Sequence, residues 1–335
     1  MPPIQRAAQG IFHYQKREVT IPMLKLAHPL GRLRRRLNPL ALIFLPALLL
    51  LLAAACSSDS DDSIISSEQR AGGPDYSAII ITSDMAVGPN RILFGIVDRE
   101  MMPVAAEKSE VAAYFLVPRE DTREFQDSAT ARFISWPTAA RGVFAVEVDL
   151  DTAGAYEIDV NFTSDDGAPI FAQVSFMVKE TASTPAIGAP APASVTHTAA
   201  AADDISHITS SVEPDVDLYE FSIHEALQLE KPLVVVFATP AFCVSATCGP
   251  QVGELSKVKE RVGDQANYIH VEVFEDPHLL EGTRPSIDMV VAAVDEWGLP
   301  TEPWTFIIDS QGLVYAKFEQ YTPAEEIESQ LREIL

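Results

Sequence analysis

After about residue 75 the apolar positions of the chain follow two different rhythms. From Tyr76 to Glu180 they form short runs rich in β-branched and aromatic residues, broken by turn signals: Ile92–Val97, Val111–Val117, Val143–Leu150, Tyr156–Phe162 and Ala172–Val178. In Tyr156, Ile158, Val160 and Phe162 every second residue is apolar, which turns one side of a strand to a core and the other to solvent. The pattern predicts an all-β domain over 76–180. Beyond residue 217 the rhythm changes. Leu233–Ala238 is a continuous apolar run of strand length, as a strand buried on both faces requires. Val252, Leu255, Val258 and Val262 then recur at helical spacing. Strands at Tyr268–Phe274, Thr305–Asp309 and Leu313–Phe318, a helix around Ser286–Trp297 and a last helix complete the order β-α-β-α-β-β-α. This predicts an α/β domain over 217–335. Ser222-Ile-His-Glu225 reads as a capping box opening a short helix through Leu229, with His224 exposed in its first turn. Thr322-Pro-Ala-Glu325 opens the last helix with a Thr cap, Pro at the first position and Glu at the third. Between the domains, residues 181–216 set Pro185, Pro190, Pro192 and Pro214 among Ala, Thr and Ser with no periodicity. They predict a linker in which His197 and His207 are solvated.

The N-terminus has a separate pattern. Lys25, Arg32, Arg34, Arg35 and Arg36 precede a 16-residue apolar run, Leu40–Ala55, that ends in three alanines before Cys56. A basic region, an apolar region and small residues in that order predict an export signal over 1–55 that is removed. The run is shorter than the roughly 20 residues of a spanning helix, and Pro46 interrupts it, which disfavours the alternative of a retained anchor. Met23 is an alternative start. Leu52-Ala-Ala-Ala-Cys56 resembles the lipobox of bacterial lipoproteins, which implies that Cys56 is lipid-modified and heads the mature chain. The acidic, Ser-rich stretch after it makes 56–75 a disordered tether. The implied location is extracytoplasmic, anchored to the membrane through that lipid.

Composition narrows the function. Lys and Arg number 24 against 48 Asp and Glu, a net charge of −24. Removing 1–55 takes away eight basic residues and one acidic one, leaving 16 against 47 and a charge of −31. Such a chain repels nucleic-acid phosphates and anionic lipid, so nucleic-acid binding is excluded and an anchor has to be the lipid itself. The three cysteines, Cys56, Cys243 and Cys248, are too few for a disulfide scaffold and leave one pair. No Gly-rich phosphate loop, Ser/His/Asp arrangement or zinc-type cluster is present, and no cofactor is implied. The β-domain carries no cysteine and no catalytic constellation. With about seven strands in about 100 residues it resembles an immunoglobulin or fibronectin-type sandwich, which implies a binding or spacer module.

Two segments of the α/β domain carry a further resemblance. Leu233–Phe237, then Cys248-Gly249-Pro250 and a helix, resemble the strand, Cys-Gly-Pro-Cys turn and active-site helix of the thioredoxin family. Trp297-Gly-Leu-Pro-Thr-Glu-Pro303-Trp-Thr-Phe306 resembles the segment of that family that carries a cis-proline facing the cysteines, with Pro303 at the matching place. There are departures. Gln251 stands where the second cysteine of the family would be, and Val236 or Phe237 stands in the place of its buried carboxylate. Cys243 is therefore the available partner of Cys248.

The resemblance implies thiol–disulfide exchange with the thiols or disulfides of exported proteins. Cys248, just before a helix, is placed to have a lowered thiol pKa and to attack, with Cys243 resolving. Pro303, Glu302 and Trp304 are candidate substrate contacts, although for Trp297 and Trp304 aromatic core packing is the favoured explanation. The reversed cysteine roles resemble atypical bacterial peroxiredoxins, although Thr239-Pro240 stands one residue too far from Cys243 for that motif. Two alternatives remain open here. One is a binding or scaffold lipoprotein whose pair is a structural disulfide. The other is copper delivery through the pair and a histidine, His270 or His278. Glu272, Glu275 and Asp276 read as a solvated acidic loop.

Overall fold

The computed structural model describes residues 75–137, 142–163, 167–280, 282 and 285–335, which belong to one compact unit, Ser67–Leu335. The export signal, Cys56 and almost all of the tether lie outside the described residues. Among the described residues no helix is long and apolar enough to cross a membrane.

Eight strands fill the first part: β1 Tyr76–Ile80, β2 Gly88–Asp98, β3 Pro103–Val104, β4 Lys108–Leu116, β5 Arg123–Ser135, β6 Gly142–Leu150, β7 Gly154–Thr163 and β8 Pro169–Val178. They pair in the order β1-β2-β6-β5-β4-β7-β8, with β3 on β2. The long β5 pairs with β4 through Arg123–Arg132 and with β6 through Arg132–Ser135, so it passes from one half of the path to the other. Phe144 on β6 and Phe162 on β7, three places apart in that order, have ring centroids 6.0 Å apart. The path therefore folds over on itself around a core that also holds Ile92, Phe94, Tyr156 and Ile158. The alternation read in Tyr156–Phe162 holds: all four side chains are buried in this core.

A four-stranded sheet forms the second part, from β9 Leu233–Ala238, β10 Asn267–Glu272, β11 Trp304–Ile308 and β12 Val314–Glu319 in the order β10-β9-β11-β12. β10 runs parallel to β9, whereas β11 is antiparallel to both β9 and β12. The helices are α1 Ile223–Leu227, α2 Cys248–Val262, α3 Ala292–Glu296 and α4 Ala324–Arg332. Every residue of β9 is buried, and its period of two divides it between layers. Val234, Val236 and Ala238 pack with Val252, Leu255 and Val258 of α2 and Ile327 and Leu331 of α4. Leu233, Val235 and Phe237 pack with Ile223 of α1, Trp297 and Phe306.

Caps set two helix starts differently. At α1 the predicted box is complete: Ser222 Oγ accepts from Glu225 N, and the Glu225 carboxylate accepts from Ser222 N. At α4, Pro323 occupies the cap position and Thr322 does not cap. Instead Ala324 N donates to Glu254 Oε2 at 2.8 Å and Thr322 N to Gln251 Oε1 at 2.7 Å, so α2 supplies the acceptors. The helix predicted over Ser286–Trp297 is a 3₁₀ turn, Ile287–Met289, followed by the short α3.

The predicted linker requires correction. Residues 188–191 run along the free edge of β12: Gly188 N donates to Val314 O, Val314 N to Ala189 O and Ala191 N to Gly312 O. An edge strand leaves backbone donors and acceptors open, and this strap fills them. Ala191, Ser194, Ile208 and Thr209 are buried, and Thr196 Oγ1 accepts from Ile223 N at the start of α1. Small Ala, Ser and Thr side chains suit so close an approach. Because the strap binds through its backbone, its sequence shows no periodicity. His197 is exposed, as predicted, and pairs with Glu275, whereas His207 is half-buried and stacks on His278 with centroids 4.1 Å apart.

The strap also joins the two parts. Asp84, in the turn before β2, accepts from Ser183 N and Oγ, Thr184 N and Oγ1, and Lys179 Nζ, all between 2.7 and 2.9 Å. Lys317 of β12 donates to Thr184 Oγ1 at 2.8 Å. Beside this, Glu319 accepts from Ser83 N and Oγ, Arg91 of β2 pairs with Glu326 of α4, and Tyr321 packs against Leu93, Ile134 and Val143.

Candidate functional site

β9 ends at Ala238, and the chain crosses a nine-residue loop before α2 begins at Cys248. Thr239 O accepts from Phe242 N and Cys243 N, a turn that points the chain back over the strand end. Cys243 and Cys248 form a disulfide, with Cα atoms 5.9 Å apart. Cys248, the first residue of α2, is 0% exposed, whereas Cys243 is half-buried and its Sγ lies 3.2 Å from Ser245 Oγ. Val244, between them, is 92% exposed. Cys248 is therefore covered, whereas Cys243 keeps part of its surface exposed.

The Glu302–Pro303 peptide is cis, as the sequence predicts, and stands at the start of β11 beside the end of β9. Gln320, directly after β12, holds this turn: its N donates to Pro303 O and its Nε2 to Glu302 O. A Glu302 carboxylate oxygen and the two cysteine sulfurs lie within 4.8 Å of one another. Burial, then the nearby Glu272 carboxylate, push the Glu302 carboxyl above the usual carboxylate range.

Gln251, which replaces the second family cysteine, is fully buried. Its Nε2 donates to Thr305 Oγ1 at 3.0 Å and its Oε1 accepts from Thr322 N, so it ties α2 to β11 and to the start of α4. The candidate substrate contacts separate. Glu302 is half-buried at the disulfide and Pro303 is buried beneath it. Trp304 requires correction: it is 2% exposed, stacked on Phe306 and donating to Thr301 Oγ1, so a docked substrate does not reach it. Trp297 is likewise core.

The histidines stand apart from the pair. Both ring nitrogens of His270 are engaged, Nδ1 with Tyr219 Oη at 2.6 Å and Nε2 with Ala238 O at 3.1 Å, and burial lowers its pKa. Neither His270 nor His278 belongs to the cluster around the sulfurs. With both sulfurs in the disulfide, that cluster presents no thiolate to a metal. Glu272, expected in a solvated acidic loop, is buried and accepts from Ser210 N, Ser210 Oγ and Val273 N. A cavity of about 110 Å³ lies along it, lined by Thr196, His197, His270, Phe274 and Glu275.

Glu302 was expected as a substrate contact; its closeness to both sulfurs is what the sequence did not signal.

No protein-family model matches the sequence, and no curated protein matches it. Among solved structures, a thiol:disulfide interchange protein of the thioredoxin family from Chlorobium tepidum is similar at 15% identity over 40% of this chain and 99% of that one, with a TM-score of 0.27. A superoxide reductase (neelaredoxin) from Ignicoccus hospitalis is similar at 14% identity over 36% of this chain and 98% of that one, with a TM-score of 0.21. MtrC from Shewanella baltica is similar at 12% identity over 71% of this chain and 51% of that one, with a TM-score of 0.24.

Proposed function

We propose that the chain exchanges disulfides with exported protein partners through Cys243 and Cys248, on a thioredoxin-like domain over 217–335. The observation that carries this reading is the disulfide itself, placed where the central strand passes into a helix, half-open at one sulfur and beside a cis-proline. The strand order β10-β9-β11-β12 with its one parallel pair supports the thioredoxin-like reading. In the β-part, a path that folds over on itself through the long β5 supports an immunoglobulin-type sandwich, which acts as a spacer or binding module. Lipid at Cys56 anchors the chain outside the cytoplasm, where the sequence signals put it.

Burial reverses the cysteine roles that helix position alone favoured. An attacking thiolate has to reach its target, and Cys248 at the helix end is covered. Cys243 therefore attacks the substrate disulfide: its sulfur bonds to one substrate sulfur while the other leaves as a thiolate. Cys248 then attacks Cys243, and the second substrate sulfur leaves. Two protein thiols are oxidised and one substrate disulfide is reduced, and the sequence runs equally in reverse.

Trapping tests this assignment in the full chain with Cys56→Ser, which leaves only the pair. Cys248→Ser is expected to accumulate a mixed disulfide with glutathione or a peptide disulfide at Cys243, readable by mass. Cys243→Ser is expected to accumulate at least about tenfold less, because the buried thiol is not reached. Equal trapping by both variants contradicts the assignment, and trapping by neither contradicts disulfide exchange.

A further inference from the structure

Disulfide exchange moves protons as well as electrons. To resolve a mixed disulfide the second cysteine has to lose its proton first, because the thiolate is the attacking species. The place where the family carries a buried carboxylate is held here by Val236 or Phe237, both in the core. An acid has nevertheless been brought to the sulfurs from another element. The Glu302 carboxylate reaches both within 4.8 Å, and among the described residues no hydrogen bond or ion pair holds its side chain. The groups that face it are Cys243 from the loop, Cys248 from α2 and Glu272 from β10. His270, on the same strand as Glu272, is committed to Tyr219 and Ala238. Ser210 and Val273 already serve the Glu272 carboxylate, so of the two acids Glu302 is the free one.

We propose that Glu302, carried on the cis-proline turn, is the proton acceptor and donor of the Cys243–Cys248 pair. This rests on the exchange reading above. In the oxidising direction the Cys248 S–H gives its proton to a Glu302 oxygen, and the Cys248 thiolate attacks Cys243 Sγ. The Cys243–substrate S–S bond breaks, and the departing substrate thiolate takes its proton from Glu302. In the reducing direction Glu302 takes the proton of the incoming substrate thiol, whose thiolate attacks Cys243, and passes it to Cys248 as Cys248 leaves Cys243. The carboxylate ends each cycle as it began, and its half-exposure lets it re-equilibrate with solvent. Its raised pKa suits the role, since an acid that holds a proton closer to neutrality transfers it in both directions. Gln320 fixes the turn through the Glu302 backbone carbonyl, so changing the side chain spares that anchor.

The test is the reaction of the reduced full chain, with Cys56→Ser, toward an aromatic disulfide that releases one coloured thiolate on attack and a second on ring closure. Glu302→Gln is expected to slow the second phase, measured relative to the first, on the order of 100-fold near neutral pH. The second phase of the variant should then fall more steeply with decreasing pH than that of the parent, because only thiolate formed without a proton acceptor can attack. Glu302→Asp should recover part of the lost rate. A Glu302→Gln second phase with the parent rate and pH profile overturns the proposal and leaves disulfide exchange standing. A parent that releases no second thiolate while folded overturns both.

Discussion

Replacing Asp84 with alanine is expected to lower the stability of the chain by about 3 kcal/mol, because it strips the acceptor from two backbone N–H groups, one of them on the buried Thr184, and from two hydroxyls at once. The Asp84 side chain is fully covered, and its two oxygens take all five donors from residues 179–184. Burial by itself would raise this carboxyl. The backbone N–H groups of Ser183 and Thr184, then the Thr184 hydroxyl and Lys179, outweigh it and hold the pKa well below the usual carboxylate range. A depressed folded-state pKa means that the unfolded chain takes up the proton more readily. The contribution of Asp84 is therefore present above the unfolded value of about 3.9 and is lost as pH falls through the folded one. Urea unfolding of the parent and Asp84→Ala chains at pH 7 and pH 3 tests this. The expected result is a stability gap that is wide at pH 7 and narrower at pH 3, and equal gaps at both contradict it.

Gly298→Ala is expected to cost about 3 kcal/mol or more, on the opposite side of the same strap. Gly298 has φ +59°, and a Cβ there would stand 2.2 Å from the backbone carbonyl oxygen of Ser183. The left-handed conformation costs a non-glycine residue about 1–2 kcal/mol, and overpacking against backbone adds about 1–3 kcal/mol. Gly312 is the control: its φ is +79°, but the nearest atom to a Cβ is Leu227 Cδ2 at 3.8 Å. Gly312→Ala should show the smaller, conformational cost only. Thermal unfolding midpoints of the two variants decide it, and equal shifts would mean that the strap yields to the added methyl. Since Gly298 opens the turn leading to Glu302 and Pro303, its variant should also disturb the disulfide site.

What was legible in the sequence follows from how each segment is held. β9 reads directly because a strand buried on both faces must be apolar throughout, and α1 because its cap lies within four residues of itself. The cysteine pair read from the cysteine count, and the cis-proline from the resemblance of Trp297–Phe306 to the thioredoxin-family segment. Contacts made at long range left no such trace. The start of α4 is capped by Gln251 and Glu254, about 70 residues away, so Thr322-Pro-Ala-Glu325 offered a plausible local cap that the chain does not use. The strap looked like a linker because residues bound through their backbone need no apolar stripe. Trp304 looked like a groove residue because proximity to the site in sequence says nothing of which way a strand side chain faces. Helix position pointed to Cys248 as the attacker, and its burial under the loop became visible only with the packing. Glu302 could be noticed but not placed, since its distance to the sulfurs depends on two turns meeting across β9 and β11.

A Cys243–Cys248 bond that is exchanged rather than kept has to open while the domain stays folded. The reduction potential of that pair, in the full chain with Cys56→Ser, decides between the two. The protein would be equilibrated with glutathione or dithiothreitol buffers and read by alkylation and mass, with folding followed in parallel. A potential between about −120 and −270 mV, reached with the fold intact, is the predicted result. A pair that stays oxidised below about −300 mV, or opens only as the domain unfolds, would contradict the account and leave the disulfide as a clip on the loop.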